Sequence, residues 1–177
     1  MNYFRLLVMF ISVCLVAGCV SLREGGGLPP LKTVAAVDLQ RYSGTWYEVA
    51  RYPNRFQASC ESGSTASYQL LQNGEMEVIN RCSEGIGRKI KEARGRAWVV
   101  DGKDNARLKV SFKWPFSGDY WIVDLGTSYE YAVVADPSRR YLWVLSRQPQ
   151  LDKRVYVGIL QRIREQGFDP NLLVEGR

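Results

Sequence analysis

Apolar and polar residues alternate with period two through much of this chain, the pattern of strands that bury one face. Ala66, Tyr68 and Leu70 share one parity, and Met76 and Val78 carry it across the turn Gln72-Asn73-Gly74. Leu108, Val110 and Phe112 do the same against Lys109, Ser111 and Lys113. Runs rich in Val, Ile, Tyr and Trp recur with turn signals between them, which predicts eight strands at 45–52, 64–71, 75–82, 89–100, 107–113, 119–125, 130–135 and 141–146. Asn73-Gly74 and Asp101-Gly102-Lys103-Asp104-Asn105 read as tight hairpins, and Asp136-Pro137-Ser138-Arg139-Arg140 joins the last two strands. The period then changes to that of a helix over 151–166. Val155, Ile159, Leu160 and Ile163 share a face there, and Gly167 ends the element. Eight short strands and one helix predict an all-β fold: an eight-stranded antiparallel up-and-down β-barrel with a C-terminal α-helix packed on the wall. Residues 172–174 are a candidate for one more strand.

Ahead of the strands, Arg5 precedes an uncharged apolar run over 6–16, which ends in Leu15-Val16-Ala17-Gly18-Cys19. Eleven residues are too few to span a bilayer as a helix. The pattern resembles a bacterial lipoprotein signal, in which the chain is cut before a diacylated cysteine; an ordinary signal peptide with an incidental cysteine is the other reading. On the first reading residues 1–18 are removed and Cys19 is the lipid-attachment site. Several acyl chains then give a lasting membrane anchor. Val20 follows the cysteine where lipoproteins kept in the inner membrane commonly have aspartate, and resemblance to that sorting rule implies the outer membrane, with the barrel facing the periplasm. Residues 19–37 contain Gly25-Gly26-Gly27 and Pro29-Pro30 and read as a lipidated N-terminus and flexible tether, which leaves 38–177 as one folded domain.

Removing the signal takes away one cation, Arg5, so the net charge of +6 becomes +5. Cations concentrate in Arg88, Lys89, Lys91, Arg94 and Arg96. Such a strand either touches anionic lipid headgroups or is a solvated face that keeps a sheet edge from pairing. Nucleic acid is not an expected partner, because the envelope is the wrong compartment and no nucleic-acid motif is present. The chain has no histidine, which excludes Ser-His-Asp and Cys-His catalysis and leaves too few ligands for a zinc site. No metal and no cofactor is expected. With Cys14 lost and Cys19 acylated, Cys60 and Cys82 remain as a pair that an oxidising compartment turns into a disulfide.

A barrel of eight strands holds one small ligand, and inward residues alternate with outward ones. The alternation places Tyr68, Met76, Val78, Val110, Phe112, Trp143 and Leu145 on the pocket wall, with Asn80 as a polar exception; the sixth strand is apolar on both faces, and Tyr120 and Ile122 are read as its inward pair. That wall is mostly hydrocarbon and aromatic, so the expected ligand is long and apolar. Trp114-Pro115-Phe116 forms an apolar loop at the open end, read as a lid, a membrane-facing patch or a homodimer contact.

Two further stretches carry a family likeness. Gly44-Thr45-Trp46-Tyr47-Glu48-Val49-Ala50-Arg51 stands at the first strand, and Tyr141-Leu142-Trp143-Val144-Leu145-Ser146-Arg147 ends the eighth. Together they resemble the lipocalin family over about residues 38–174, in particular its bacterial outer-membrane branch and the animal member apolipoprotein D. The resemblance implies that Trp46 plugs the closed end of the barrel and Arg147 stacks across it, with Gly44 completing the motif. It also implies ligand contacts at Tyr68, Asn80 and Trp143, and single-chain lipids, fatty acids or lysophospholipids, as ligands to be stored, transported or cleared from the envelope. A lipid-anchored interaction or assembly protein with a filled barrel is the alternative. Catalysis through Glu48, Glu92 or Asp124 is a lesser one, and the protein is not expected to be an enzyme.

Overall fold

The computed structural model describes residues 27–85, 89–100 and 102–176. Cys19 and Arg88 therefore lie outside the described residues. Eight antiparallel strands form the barrel: β1 (Gly44–Arg51), β2 (Ser62–Leu70), β3 (Met76–Glu84), β4 (Lys89–Val99), β5 (Arg107–Lys113), β6 (Phe116–Leu125), β7 (Tyr131–Ala135) and β8 (Leu142–Ser146). Each pairs with its neighbour in sequence, and β1 closes the ring by pairing with both β2 and β8. Beyond Tyr47 and Thr65 the β1–β2 pairing stops, and the edge of β1 takes up β9 (Val174–Glu175) instead. The expected barrel is present, and the strand suspected at 172–174 is this short ninth one.

The wall buries two different faces. The inward face holds one cluster that includes Trp46, Tyr68, Met76, Val78, Leu108, Ile122, Val134 and Leu145. The outward face of β7 and β8 is apolar as well, because α2 (Lys153–Glu165) lies against it: Val133, Ala135, Leu142 and Val144 pack with Ile159 and Ile163. Both isoleucines are fully buried, and each contributes on the order of 1.5–3 kcal/mol. Asp152 caps the start of α2 by accepting from the backbone N–H groups of Arg154 and Val155. At the other end Gly167, at φ +85°, lets the N–H groups of Gly167 and Phe168 return to the carbonyls of Arg164 and Ile163. Arg162 pins the helix by donating to Asp124 at 2.7 Å and Tyr131 at 2.9 Å.

Sequence parity fails at one place that matters. An irregularity in the β1–β8 pairing between Glu48 and Ala50 moves Ala50 to the outer cluster under α2 and sets Arg51 opposite Trp143. The tether is also shorter than expected. Leu31 and Val37 are buried, and the backbone N–H groups of Val34 and Val37 donate to Ile122 and Asp104. The carbonyl of Ile122 is open to Val34 because the β6–β7 register slips between Ile122 and Asp124. Three apolar residues at spacing three carry neither strand nor helix periodicity, so the packing of 31–37 has no local signature.

On the opposite wall the cations of β4 face acids. Arg96 pairs with Glu75, Arg94 with Glu77 and Glu92, and Lys91 with Glu84. The basic stretch is thus largely a cross-strand ion-pair ladder, which contributes little stability at so exposed a face.

Candidate functional site

The barrel is shut where β1 begins and β8 ends. Trp46 is fully buried, and its indole N–H donates to the carbonyl of Tyr42 at 2.8 Å. The Arg147 guanidinium lies 3.8 Å from the centre of the Trp46 ring. Arg147 also donates to the carbonyls of Arg41, Tyr42 and Thr45 at 2.7, 3.1 and 3.1 Å. Gly44 makes room for this fork: its φ is +100°, and a Cβ there would sit 3.1 Å from Nη1 of Arg147. α1 (Leu39–Tyr42), capped by Asp38, delivers two of the carbonyls that the arginine bonds, those of Arg41 and Tyr42, and β1 the third.

Above the plug stands a layer of tyrosines. The hydroxyl of Tyr120 donates to Tyr68 at 2.8 Å and lies 2.7 Å from that of Tyr42. A phenol has one proton, so Tyr42 is the donor to Tyr120 and the Tyr68 proton has no acceptor within the triad. Burial pushes the Tyr68 hydroxyl up to about 12 and raises Tyr42 and Tyr120 well above the ordinary phenol value. All three are neutral donors at any physiological pH. They form a floor, not an empty cavity.

From that floor upward the inward positions open stepwise to solvent. On β3, Met76 and Val78 are 1% and 2% exposed, whereas Asn80, next on the same parity, is exposed. On β5, Leu108 is buried, Val110 is partly so, and Phe112 is 43% exposed. The β4 positions opposite Asn80, Val78 and Met76 are the small residues Ala93, Gly95 and Ala97, with the Phe112 ring lying against Gly95. Ile122, Leu145 and Trp143 join the same inner cluster from β6 and β8. Seven of the expected pocket residues therefore share the inner cluster with Tyr120, while Asn80 and Phe112 lie nearer the rim.

The upper cup carries a polar network that alternation did not mark. Glu48 is buried, and Arg51 pairs with it at 2.8 Å. The second carboxylate oxygen accepts from the side chain of Gln57. The Gln57 carbonyl in turn accepts from the Trp143 indole at 2.8 Å and from Asn54 at 3.0 Å. Arg51 Nε is buried and makes no hydrogen bond. Arg51, Asn54, Gln57 and Ser64 border a cleft of about 800 Å³ between β1, the loop after it, β2 and β9. Its size is that of a small-molecule site. Glu61 and Glu175 stand on the same cleft, so both charges are represented. Glutamate and arginine three apart on a barrel strand were visible in sequence, but only the irregularity after Glu48 brings them to one side. Cys60 and Cys82 form the expected disulfide, with Cα atoms 5.6 Å apart, and tie the loop after β1 to β3.

With the plug, the floor and the cup on the page, the comparison with known sequences is direct. A family described as the lipocalin-like domain matches residues 37–176. The chain belongs to the lipocalin family. Outer membrane lipoprotein Blc of Vibrio cholerae is 35% identical over 171 residues, covering 96% of each chain. Its Escherichia coli K12 counterpart is 35% identical over 169 residues, 96% of this chain and 93% of the relative. Mouse apolipoprotein D is 28% identical over 181 residues. Among solved structures, insecticyanin of the tobacco hornworm Manduca sexta superposes with a TM-score of 0.70 at 16% identity, over 86% of each chain, a likeness of fold. This lipocalin is accordingly a lipid-anchored outer-membrane protein, and its family and fold are those of binding proteins. The three carboxylates considered for catalysis are engaged elsewhere: Glu48 with Arg51, Glu92 with Arg81 and Arg94, and Asp124 with Arg162.

Proposed function

We propose that this lipocalin, acylated at Cys19, holds and carries single-chain lipids, fatty acids or lysophospholipids, for storage, transport or maintenance of the envelope. The hydrocarbon occupies the cup above the tyrosine floor, against Val78, Val110, Ile122 and Leu145, and the head lies at the cleft. The observation that carries this reading is Arg51, whose buried Nε has no hydrogen-bond partner and which borders the cleft at the open end of the barrel. A phosphate or carboxylate there can accept a charge-assisted hydrogen bond from this guanidinium. Trp143, held by Gln57, forms the wall between chain and head.

An anchored carrier competes with its own bilayer. Burying a 16-carbon chain is worth on the order of 12 kcal/mol relative to water, but a membrane lipid has already gained as much. The carrier therefore removes what the bilayer holds weakly, which favours one chain over two. Native mass spectrometry of protein extracted from its own membrane tests this directly. A bound fatty acid or lysophospholipid is expected, and exchange of Glu48 and Arg51 together for glutamine is expected to lower its occupancy at least tenfold without unfolding the barrel. A folded protein that neither retains nor takes up such a lipid would refute the proposal. That outcome would favour the second reading, a filled-barrel assembly protein, for which the tyrosine floor is the supporting observation.

A further inference from the structure

The two ends of the barrel expose different chemistry. Of the ten large apolar side chains exposed among the described residues, all but Val100 and Val157 lie at or beside the open end. Val100 belongs to the turn at the closed end and Val157 to the outer face of α2. Four of them occupy the tips: Trp114 at 80%, Phe116 at 71%, Ile90 at 66% and Phe56 at 58%. Each tip also carries a cation in the adjacent position, Lys113, Lys89 and Arg55, and the Arg55 guanidinium lies 5.2 Å from the centre of the Phe56 ring. Among the described residues no such cluster is seen at the closed end, where the ring of Trp46 is covered by Arg147.

An independent observation concerns where the N-terminal segment meets the barrel. The carbonyl of Pro29 accepts from Arg139 at 2.6 Å, and Leu28 lies against Gly167. Arg139 is in the turn between β7 and β8, and that turn is at the open end because Tyr131 and Ser146, the opposite ends of the same two strands, lie at the plug. From Leu31 the chain then descends the wall to Asp104, in the closed-end turn. Everything before residue 28 is thus attached at the mouth end. Nine residue steps separate Cys19 from Leu28, a reach of at most about 30 Å.

We infer that the mouth of the barrel is a bilayer-docking surface, seated on an anionic phospholipid leaflet, the one that holds the Cys19 acyl chains. The inference rests on the proposed acylation. Phe56, Ile90, Trp114 and Phe116 enter the interfacial layer, where aromatic rings are favoured, and Arg55, Lys89 and Lys113 meet lipid phosphates. A short leash fixed beside the mouth favours this face over the polar base. A single-chain lipid then passes from leaflet to cup without crossing bulk water.

The test uses the full acylated chain in vesicles of phosphatidylethanolamine and phosphatidylglycerol, prepared with and without brominated acyl chains that quench tryptophan. Brominated lipid is expected to quench the emission, Trp114→Phe to remove at least half of that quenching, and Trp98→Phe, a change on the outer wall, to leave it intact. Quenching unaffected by Trp114→Phe would overturn the inference. So would sedimentation showing that Trp114 is shielded in a mouth-to-mouth dimer. The anchor is read separately, from the mass of the N-terminal peptide. If that peptide carries no acyl group, the Cys19 reading fails alone, and the mouth is still tested by partition of the Cys19→Ser chain onto the same vesicles. Trp114→Ala with Phe116→Ala is expected to lower that partition at least tenfold, and equal partition would overturn the docking surface.

Discussion

Replacing Arg147 by lysine isolates the chemistry of the seal, because it keeps the charge and removes the plane. In the native protein the guanidinium does two things at once: it stacks on Trp46 at 3.8 Å and donates to three carbonyls between 2.7 and 3.1 Å. An ammonium has three donors on one atom and no flat face, so it can reach some of the carbonyls but cannot bond them all while covering the indole. The lost stacking is worth about 0.5–2 kcal/mol, and one charge-assisted hydrogen bond adds about 1.5–3 kcal/mol, less what water recovers at this half-buried end. The expected cost is about 2–4 kcal/mol. Equilibrium urea unfolding should therefore show a midpoint lower by about 1–2 M at unchanged slope. A double-mutant cycle with Trp46→Phe should return a coupling of about 0.5–2 kcal/mol. A lysine variant within about 0.5 kcal/mol of the native protein would mean that backbone packing closes the barrel and the stack contributes nothing.

Other outcomes follow from the same geometry. Trp46→Ala is expected to cost about 3–5 kcal/mol, whereas Trp143→Ala should weaken lipid binding at least tenfold with a smaller loss of stability; titration with a fluorescent fatty acid and urea unfolding separate the two, and the reverse pattern would mean that the cup is misplaced. Reducing the Cys60–Cys82 disulfide, which closes a loop of sequence separation 22, should lower stability by about 3 kcal/mol, measured by unfolding with and without reductant. Buried, neutral Tyr42, Tyr68 and Tyr120 make the fold sensitive to alkali. Their folded values are raised above the unfolded phenol value near 10, so stability is complete below that pH and is lost as pH climbs toward the folded values, about 12 for Tyr68. Absorbance at 295 nm should show these three phenols ionising only as the barrel unfolds.

What could be read in the sequence and what could not divide along a physical line. Strands such as β3 and β5 bury one face against the interior, so Met76, Val78, Leu108 and Val110 announce themselves by period two. The helix does so by period 3.6, because Ile159 and Ile163 meet a flat wall. Trp46 and Arg147 were legible as a pair through a motif, although nothing local indicates that residues so far apart meet. Counting parity along β1 fails after Glu48, since one irregularity in pairing exchanges inside for outside. Arg51 and Gln57 were missed for that reason: their burial depends on long-range pairing and on a loop tied down by Cys60. The ladder on β4 was ambiguous because most of the acids that neutralise it, Glu77 and Glu84 on β3 and Glu75 just before it, become neighbours only through register.

The same register explains how one narrow barrel can be both stable and receptive. Stability is concentrated at the base, where Trp46, Arg147 and the three tyrosines pack together, Trp46 and Arg147 bonded to backbone carbonyls and the tyrosines linked through Tyr120. Toward the mouth the β4 wall is built from Ala93 and Gly95, residues that contribute little packing of their own. At Gly95 a Cβ would lie 2.5 Å from the Ser111 carbonyl and 2.8 Å from the Phe112 ring, so the strand accepts no larger residue there without displacing the wall. Small residues on this wall forgo apolar burial that larger ones would have gained. The closed base and the disulfide offset that loss, which is why perturbations of the seal should appear in unfolding and perturbations of the cup in binding.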